Sequence, residues 1–206
     1  MASAKKQPKA SMTQVASNIG QSILDSVGDV PPSSRKKSKE ALKESRAAIT
    51  KASAKASLTA GAFAVPLGPI GWLTILPEMV TVWKIQAQLV ADIAALHGQK
   101  IVLTREQMLY CLFRHTAAQA VRDLAVRAGE RLIVQQVTNQ VLKKVVEAIG
   151  VKITRRVMGK GLTRWLPVIG VVGVAGYAYY DTAQVGSTAL DMFSGAKVSS
   201  ARARAP

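Results

Sequence analysis

Two stretches of this chain carry no charged side chain, although the whole has a formal net charge of +16. The first, Ala56 to Pro77, reads ASLTAGAFAVPLGPIGWLTILP. The second, Trp165 to Tyr180, reads WLPVIGVVGVAGYAYY. Apolar length and flanking charge together decide between a soluble core, a membrane span and a segment that dips into a bilayer. Pro66, Pro69 and Pro77 each remove a backbone donor, and Gly68 and Gly71 add bending freedom, so the first stretch cannot form one straight helix. Residues 65–71, VPLGPIG, read as a tight turn between two apolar helical arms. Each arm is only about ten residues long, against the roughly 20 that spanning requires. Sixteen residues make a helix of roughly 24 Å, short of a ~30 Å hydrocarbon core. Both stretches are therefore expected in a buried or re-entrant hairpin or in the core, not as spans.

The remaining pattern is helical. Ser11 with Gln14 forms a capping box, followed by Met12, Val15, Ile19, Ile23 and Val27 at helical spacing, with Gly28 and Pro31-Pro32 as the stop. Residues 33–55 turn to Lys, Ala and Ser, and Leu42, Ile49 and Ala56 draw a thin apolar seam on an expected basic helix. A helix starting at Glu78 is expected to run through Trp83, Leu89 and Ile93 to Gly98. Thr104 and Gln107 make a second capping box, ahead of an amphipathic helix to Gly129. A further helix is expected over 130–149, and a small-residue helix after Asp181 through Ala183, Val185, Ala189 and Met192. No convincing strand alternation occurs. The expected fold is all-α: a single helical bundle with two Gly/Pro-rich apolar helical hairpins. Its expected divisions are a basic N-terminal extension at 1–55, a helical domain at 56–193 and a disordered tail at 194–206.

Charge is unevenly spread. Residues 1–60 carry eleven Lys/Arg against four acids, 61–100 two against two, and 101–164 twelve against four. Such an excess points to an anionic partner or serves solubility. The sharpest cluster is Lys152, Arg155, Arg156, Lys160 and Arg164, immediately before the second uncharged stretch. Cations beside an apolar segment suit anionic lipid, and a solvated face with snorkelling stems is the structural alternative. The aromatics do not interleave with these cations as a nucleic-acid stacking platform requires. Trp72, Trp165 and Tyr177 border or occupy the uncharged stretches, as membrane-contact or packing residues. Gly170, Gly173 and Gly176 recur every third residue and make a smooth face suited to close helix packing.

Catalytic patterns are poor, and the expectation is a non-enzymatic protein without cofactor or metal. His97 and His115 lack a metal-binding partner at motif spacing. Cys111 beside Leu112 reads as a buried, inert thiol, and one cysteine excludes an internal disulfide. Glu78, Asp92 and Asp181 border apolar regions and are expected to cap helices or to pair with Lys84 or Arg164. MASAKKQPKASM is followed by no unbroken apolar run, which argues against a cleaved secretory signal.

GPIGWLTILPEMVTVWKIQAQLVADIAALHGQ and LPVIGVVGVAGYAYYDTAQVGSTALDMF resemble the EcsC family of bacterial proteins. They are also similar to the apolar helical region fused to some bacterial GTPases. The matching positions are Pro66, Gly68, Pro77, Gln86, Gln88, Gly98, Pro167, Gly170, Gly173, Tyr177, Thr182, Gly186 and Ala189, within about 60 to 193. The resemblance implies an α-helical, cytoplasmic or membrane-associated protein, and it carries over no active site. The leading expectation is a protein peripheral to, or partly embedded in, the bacterial inner membrane, held by anionic lipids. A soluble helical adaptor or carrier for a protein partner or apolar ligand comes second, and a non-specific nucleic-acid binder third.

Overall fold

The computed structural model describes residues 12–28, 30–63, 71–99, 103–115, 146–152 and 167–195. These are 82% helical and contain no strand, so the fold is all-α. Five helices have defined bounds: α1 (Met12–Gly28), α2 (Ala41–Phe63), α3 (Gly71–Leu96), α4 (Arg105–Phe113) and α5 (Pro167–Phe193). Residues 146–152 are also helical.

The expected helix over 33–55 is displaced towards the C-terminus. Residues 30–38 are irregular because side chains bind them to α3. Ser33 Oγ donates to Asp92 Oδ1 at 2.7 Å, and Gln88 Nε2 donates to the Pro32 carbonyl at 3.3 Å. Ser38 Oγ then accepts from the Glu40 N–H at 3.1 Å, so the helix starts only at Ala41. It continues to Phe63 through what reads as the first arm of the uncharged stretch. The boundary expected at residue 55 therefore falls inside α2.

The expected start at Glu78 is late by seven residues, because α3 begins at Gly71. Pro77 lies within it and costs the hydrogen bond that its N–H would have given the Leu73 carbonyl. The turn expected at 65–71 lies outside the described residues except for Gly71. The helix expected from Thr104 to Gly129 ends at Phe113, and 116–129 lie outside the described residues. Of the helix expected over 130–149, only 146–149 are described, and they are helical. At its far end α3 closes as a Schellman motif. The Gly98 N–H donates to the Ala95 carbonyl and the Gln99 N–H to the Ala94 carbonyl, at 2.9 and 2.8 Å. Gly98 has φ +77°, and a Cβ there would come 2.9 Å from the Lys37 Cδ. The positive φ selects glycine, whereas the flexible Lys37 stem could move aside.

The register of the bundle follows from a few long-range contacts. The Ser38 N–H bonds the Leu96 carbonyl at 3.0 Å, and Ser45 Oγ lies 3.4 Å from His97 Nε2. The start of α2 thus sits at the end of α3, and the two are antiparallel. Gln86 reaches Thr182, and Gln99 Nε2 donates to the Phe193 carbonyl at 3.4 Å, so α3 and α5 are parallel. Helices α2 and α5 are therefore antiparallel, and they share the most extensive contact in the bundle.

Small residues make that contact close. The buried stripe of α2 is Ser45, Ala48, Ser53, Ala56 and Ala60, and that of α5 is Ala178, Thr182, Val185, Gly186, Ala189 and Phe193. Gly186 faces Ile49. Larger side chains fill the other side of α3. Trp83 meets Phe113 edge-to-face at 5.6 Å and 74°, and Ile19, Ile23, Ile93, Met108, Leu109, Leu112, Val146 and Ile149 complete the core. The Thr104–Gln107 capping box forms as expected.

Candidate membrane-contact site

Because α2 and α5 are antiparallel with Ile49 opposite Gly186, each step up α2 matches a step down α5. Nine residues on from Ile49 is Leu58, and nine back from Gly186 is Tyr177. The described parts of the two uncharged stretches, about a hundred residues apart in sequence, therefore lie at one end of the bundle. The charged lead-in with Arg35, Lys36, Lys37 and Lys39 occupies the other end, beside His97 and Gln99.

The uncharged end is apolar and exposed. Leu58 is 77% exposed, Val172 67%, Tyr180 60% and Tyr177 51%. Helical periodicity sorts α5 into two faces. Ala178, Thr182, Val185 and Ala189 point inward, whereas Val172, Gly173, Gly176, Tyr177 and Tyr180 lie on the opposite face. Further along, the exposed positions become Ser187 and Asp191, as a solvated helix requires. The outward apolar surface is confined to the first half of α5. Among the described residues, nothing lies within 4 Å of a Cβ built on Gly173 or Gly176.

A polar layer separates this half from the buried one. Gln86, fully buried, donates through Nε2 to Asp181 Oδ2 at 2.7 Å and to Thr182 Oγ1 at 3.2 Å. Asp181 Oδ1 also pairs with His115 Nε2 at 2.6 Å. The carboxylate expected to meet Lys84 or Arg164 is instead held by His115 and Gln86, tying α3, the end of α4 and α5 together. Asp92 likewise bonds Ser33 and Gln88. The Oε1 of Gln86 and the Oγ of Ser53, buried in α2, have no hydrogen-bond partner among the described residues. Keeping such groups dry costs about 1–3 kcal/mol each, so the layer is specific in level without being cheap.

Of the expected basic cluster, Lys152 is exposed at the end of the 146–152 helix. Arg155, Arg156, Lys160 and Arg164 lie outside the described residues, as does Trp165. Trp72 and Gly170 belong to α3 and α5 by their backbone. The signal for Gln86 was present in the sequence, since it shares the helical face of Trp83, Ala87 and Val90. Its partners, Asp181 and Thr182, are too distant in sequence for spacing to reveal.

Cys111 is fully buried, and burial pushes its thiol pKa well above the usual range, against a smaller opposing pull from Arg114. Among the described residues no three His, Cys, Asp or Glu side chains could share a metal ion. One described helix is long and apolar enough to cross a membrane by length and composition, α3 over Met79–Leu96, with mean hydropathy 1.2. It is 56% buried and packs against α1, α2, α4 and α5. Comparison with family models, with curated proteins and with solved structures gives no match.

Proposed function

We propose that this protein is a non-enzymatic helical protein that attaches to anionic lipid surfaces through the uncharged end of its bundle. The observation that carries the reading is the outward face of α5, where Val172, Tyr177 and Tyr180 stand exposed in a segment without a single charge. Apolar and tyrosine side chains of this kind suit the headgroup boundary, where a ring is partly apolar and its hydroxyl stays wet. From Val172 to Tyr180 the helix is roughly 12 Å long, enough to enter one leaflet and not to cross it. The net charge of +16 supplies long-range attraction to such a surface. The cluster Lys152, Arg155, Arg156, Lys160 and Arg164, just before α5 in sequence, is the part of that charge assigned to the headgroups.

Kinship with the EcsC family, and a place at the cytoplasmic face of a bacterial inner membrane, belong to the same proposal. Several positions that carry the resemblance have structural work. Gln86 and Thr182 bond each other, Gly186 admits Ile49, and Gly98 closes α3. A second reading, a soluble adaptor or carrier for a protein partner or apolar ligand, draws on α3, whose apolar window is largely packed inside the protein.

The test is sedimentation with phosphatidylglycerol vesicles, comparing the parent chain with Val172→Ser/Tyr180→Ser. Burying the exposed part of one such side chain contributes on the order of 1 kcal/mol, so the double variant should partition about thirtyfold more weakly. Equal partitioning of the two proteins overturns the assignment of this face.

A further inference from the structure

Helix α2 carries a second surface at the same end of the bundle. Its inward stripe of small residues is fully occupied by α3 and α5. Its outward face presents Lys51 and Lys55 and then, without a break in the helix and on the same stripe, Leu58 and Ala62, all exposed. Lys51 and Lys55 make no ion pair among the described residues, whereas Lys43, two turns before, is already matched by Glu40 at 3.0 Å. No acidic residue occurs from Ser45 to Pro77. Beside the cations the outward positions are Ala47, Thr50 and Ala54, whose short side chains let a flat charged surface come close.

We propose that α2 lies obliquely on the anionic membrane, with Lys51 and Lys55 on lipid phosphates and Leu58 and Ala62 inserted beyond them. This inference rests on the membrane reading given above and adds to it a second contact helix and an orientation. The order along the helix carries the choice of partner. Cations that grade over roughly 17 Å into exposed apolar residues match the step from headgroup to acyl chain. A nucleic-acid backbone, charged along its whole length, gives no reason for a leucine 77% exposed at the end of the row. The register agrees, because Leu58 stands level with Tyr177, so α2 and α5 descend towards the same surface. The lead-in is fixed for the task, since Ser33 and Ser38 bind it to α3.

The experiment uses environment-sensitive fluorophores on single introduced cysteines in the full chain, where buried Cys111 stays unlabelled. Probes are placed by Leu58→Cys and Ala62→Cys on α2, Val172→Cys on α5 and Lys36→Cys at the opposite end. With phosphatidylglycerol vesicles, the α2 and α5 probes should shift to the blue and the Lys36→Cys probe should not. With phosphatidylcholine vesicles none should shift. A response at Val172→Cys without one at Leu58→Cys or Ala62→Cys overturns the α2 contact and leaves the membrane reading standing. Silence at all positions removes both. A response of the α2 probes to duplex DNA that equals or exceeds the response to vesicles also overturns the proposal. Neutralising Lys51→Gln and Lys55→Gln together should weaken vesicle binding by about thirtyfold, with an unchanged helical circular-dichroism signal. Unchanged binding contradicts the proposal.

Discussion

The contact between α2 and α5 fixes which surfaces the bundle exposes, and Gly186→Ala tests it through the sign of a small energy. In an unhindered helix interior, replacing glycine by alanine stabilises by about 1 kcal/mol, through propensity alone. Here the added Cβ would lie 2.5 Å from Cγ1 of Ile49, with Cδ1 and Cγ2 at 3.1 and 3.2 Å. Isoleucine is branched at Cβ and stiff about χ1, so no rotation clears all three carbons, and the helices must separate locally. Overpacking of this kind costs about 1–3 kcal/mol, which outweighs the propensity gain. Gly186→Ala should therefore destabilise the chain by about 1 kcal/mol. In an Ile49→Ala background the obstacle is gone, and the same substitution should stabilise by about 1 kcal/mol. Urea unfolding followed by circular dichroism gives all four corners of the cycle, and the expected coupling is about 2 kcal/mol. If Gly186→Ala stabilises equally in both backgrounds, the antiparallel register that brings Leu58 level with Tyr177 is wrong.

Two further outcomes follow from buried groups. Burial raises the Cys111 pKa, so the thiol should ignore disulfide reagents in the folded chain and react promptly in guanidinium; rapid reaction of the native protein contradicts its place in the core. Burial lowers the pKa of His97 from its ordinary 6.5, so below that pH the unfolded chain binds the extra proton more readily. The folded state then loses stability as pH falls from 6.5 towards the lowered value. Relative to His97→Gln, the parent should lose ground on acidification and hold it above neutral pH. A difference independent of pH refutes this environment for the ring.

Local signals were the legible ones. The Thr104–Gln107 box, the stop at Gly28 and the closing Gly98 depend on neighbours within a few residues, and each takes its expected position. The start of α2 was not legible. Ser33 and Ser38 are held by Asp92 and by the Leu96 carbonyl, partners that lie far along the chain. Pro77 reads as a break, yet α3 absorbs it for one lost hydrogen bond, because packing on four neighbouring helices outweighs propensity. For the site, absence of charge marked both stretches, and their convergence came only from the helix directions. The pairing of Asp181 with His115, 66 residues apart, had no signal in spacing. The outward cations of α2 were read as a basic helix, and their isolation from acids became visible only once Glu40 and Glu44 found Lys43 and Arg35.

Anionic attraction and apolar insertion make separable demands on the same surface. Attraction between exposed charges fades over a Debye length of about 8 Å at physiological ionic strength, whereas inserted tyrosine and valine side chains are indifferent to salt. The most direct measurement is flotation of the intact chain with vesicles of phosphatidylglycerol and phosphatidylcholine in equal parts, with phosphatidylcholine alone as the comparison. The protein should float with the anionic vesicles at low salt, be partly released by high salt, and stay at the bottom with the neutral ones. A chain that remains at the bottom with anionic vesicles at low salt contradicts the account.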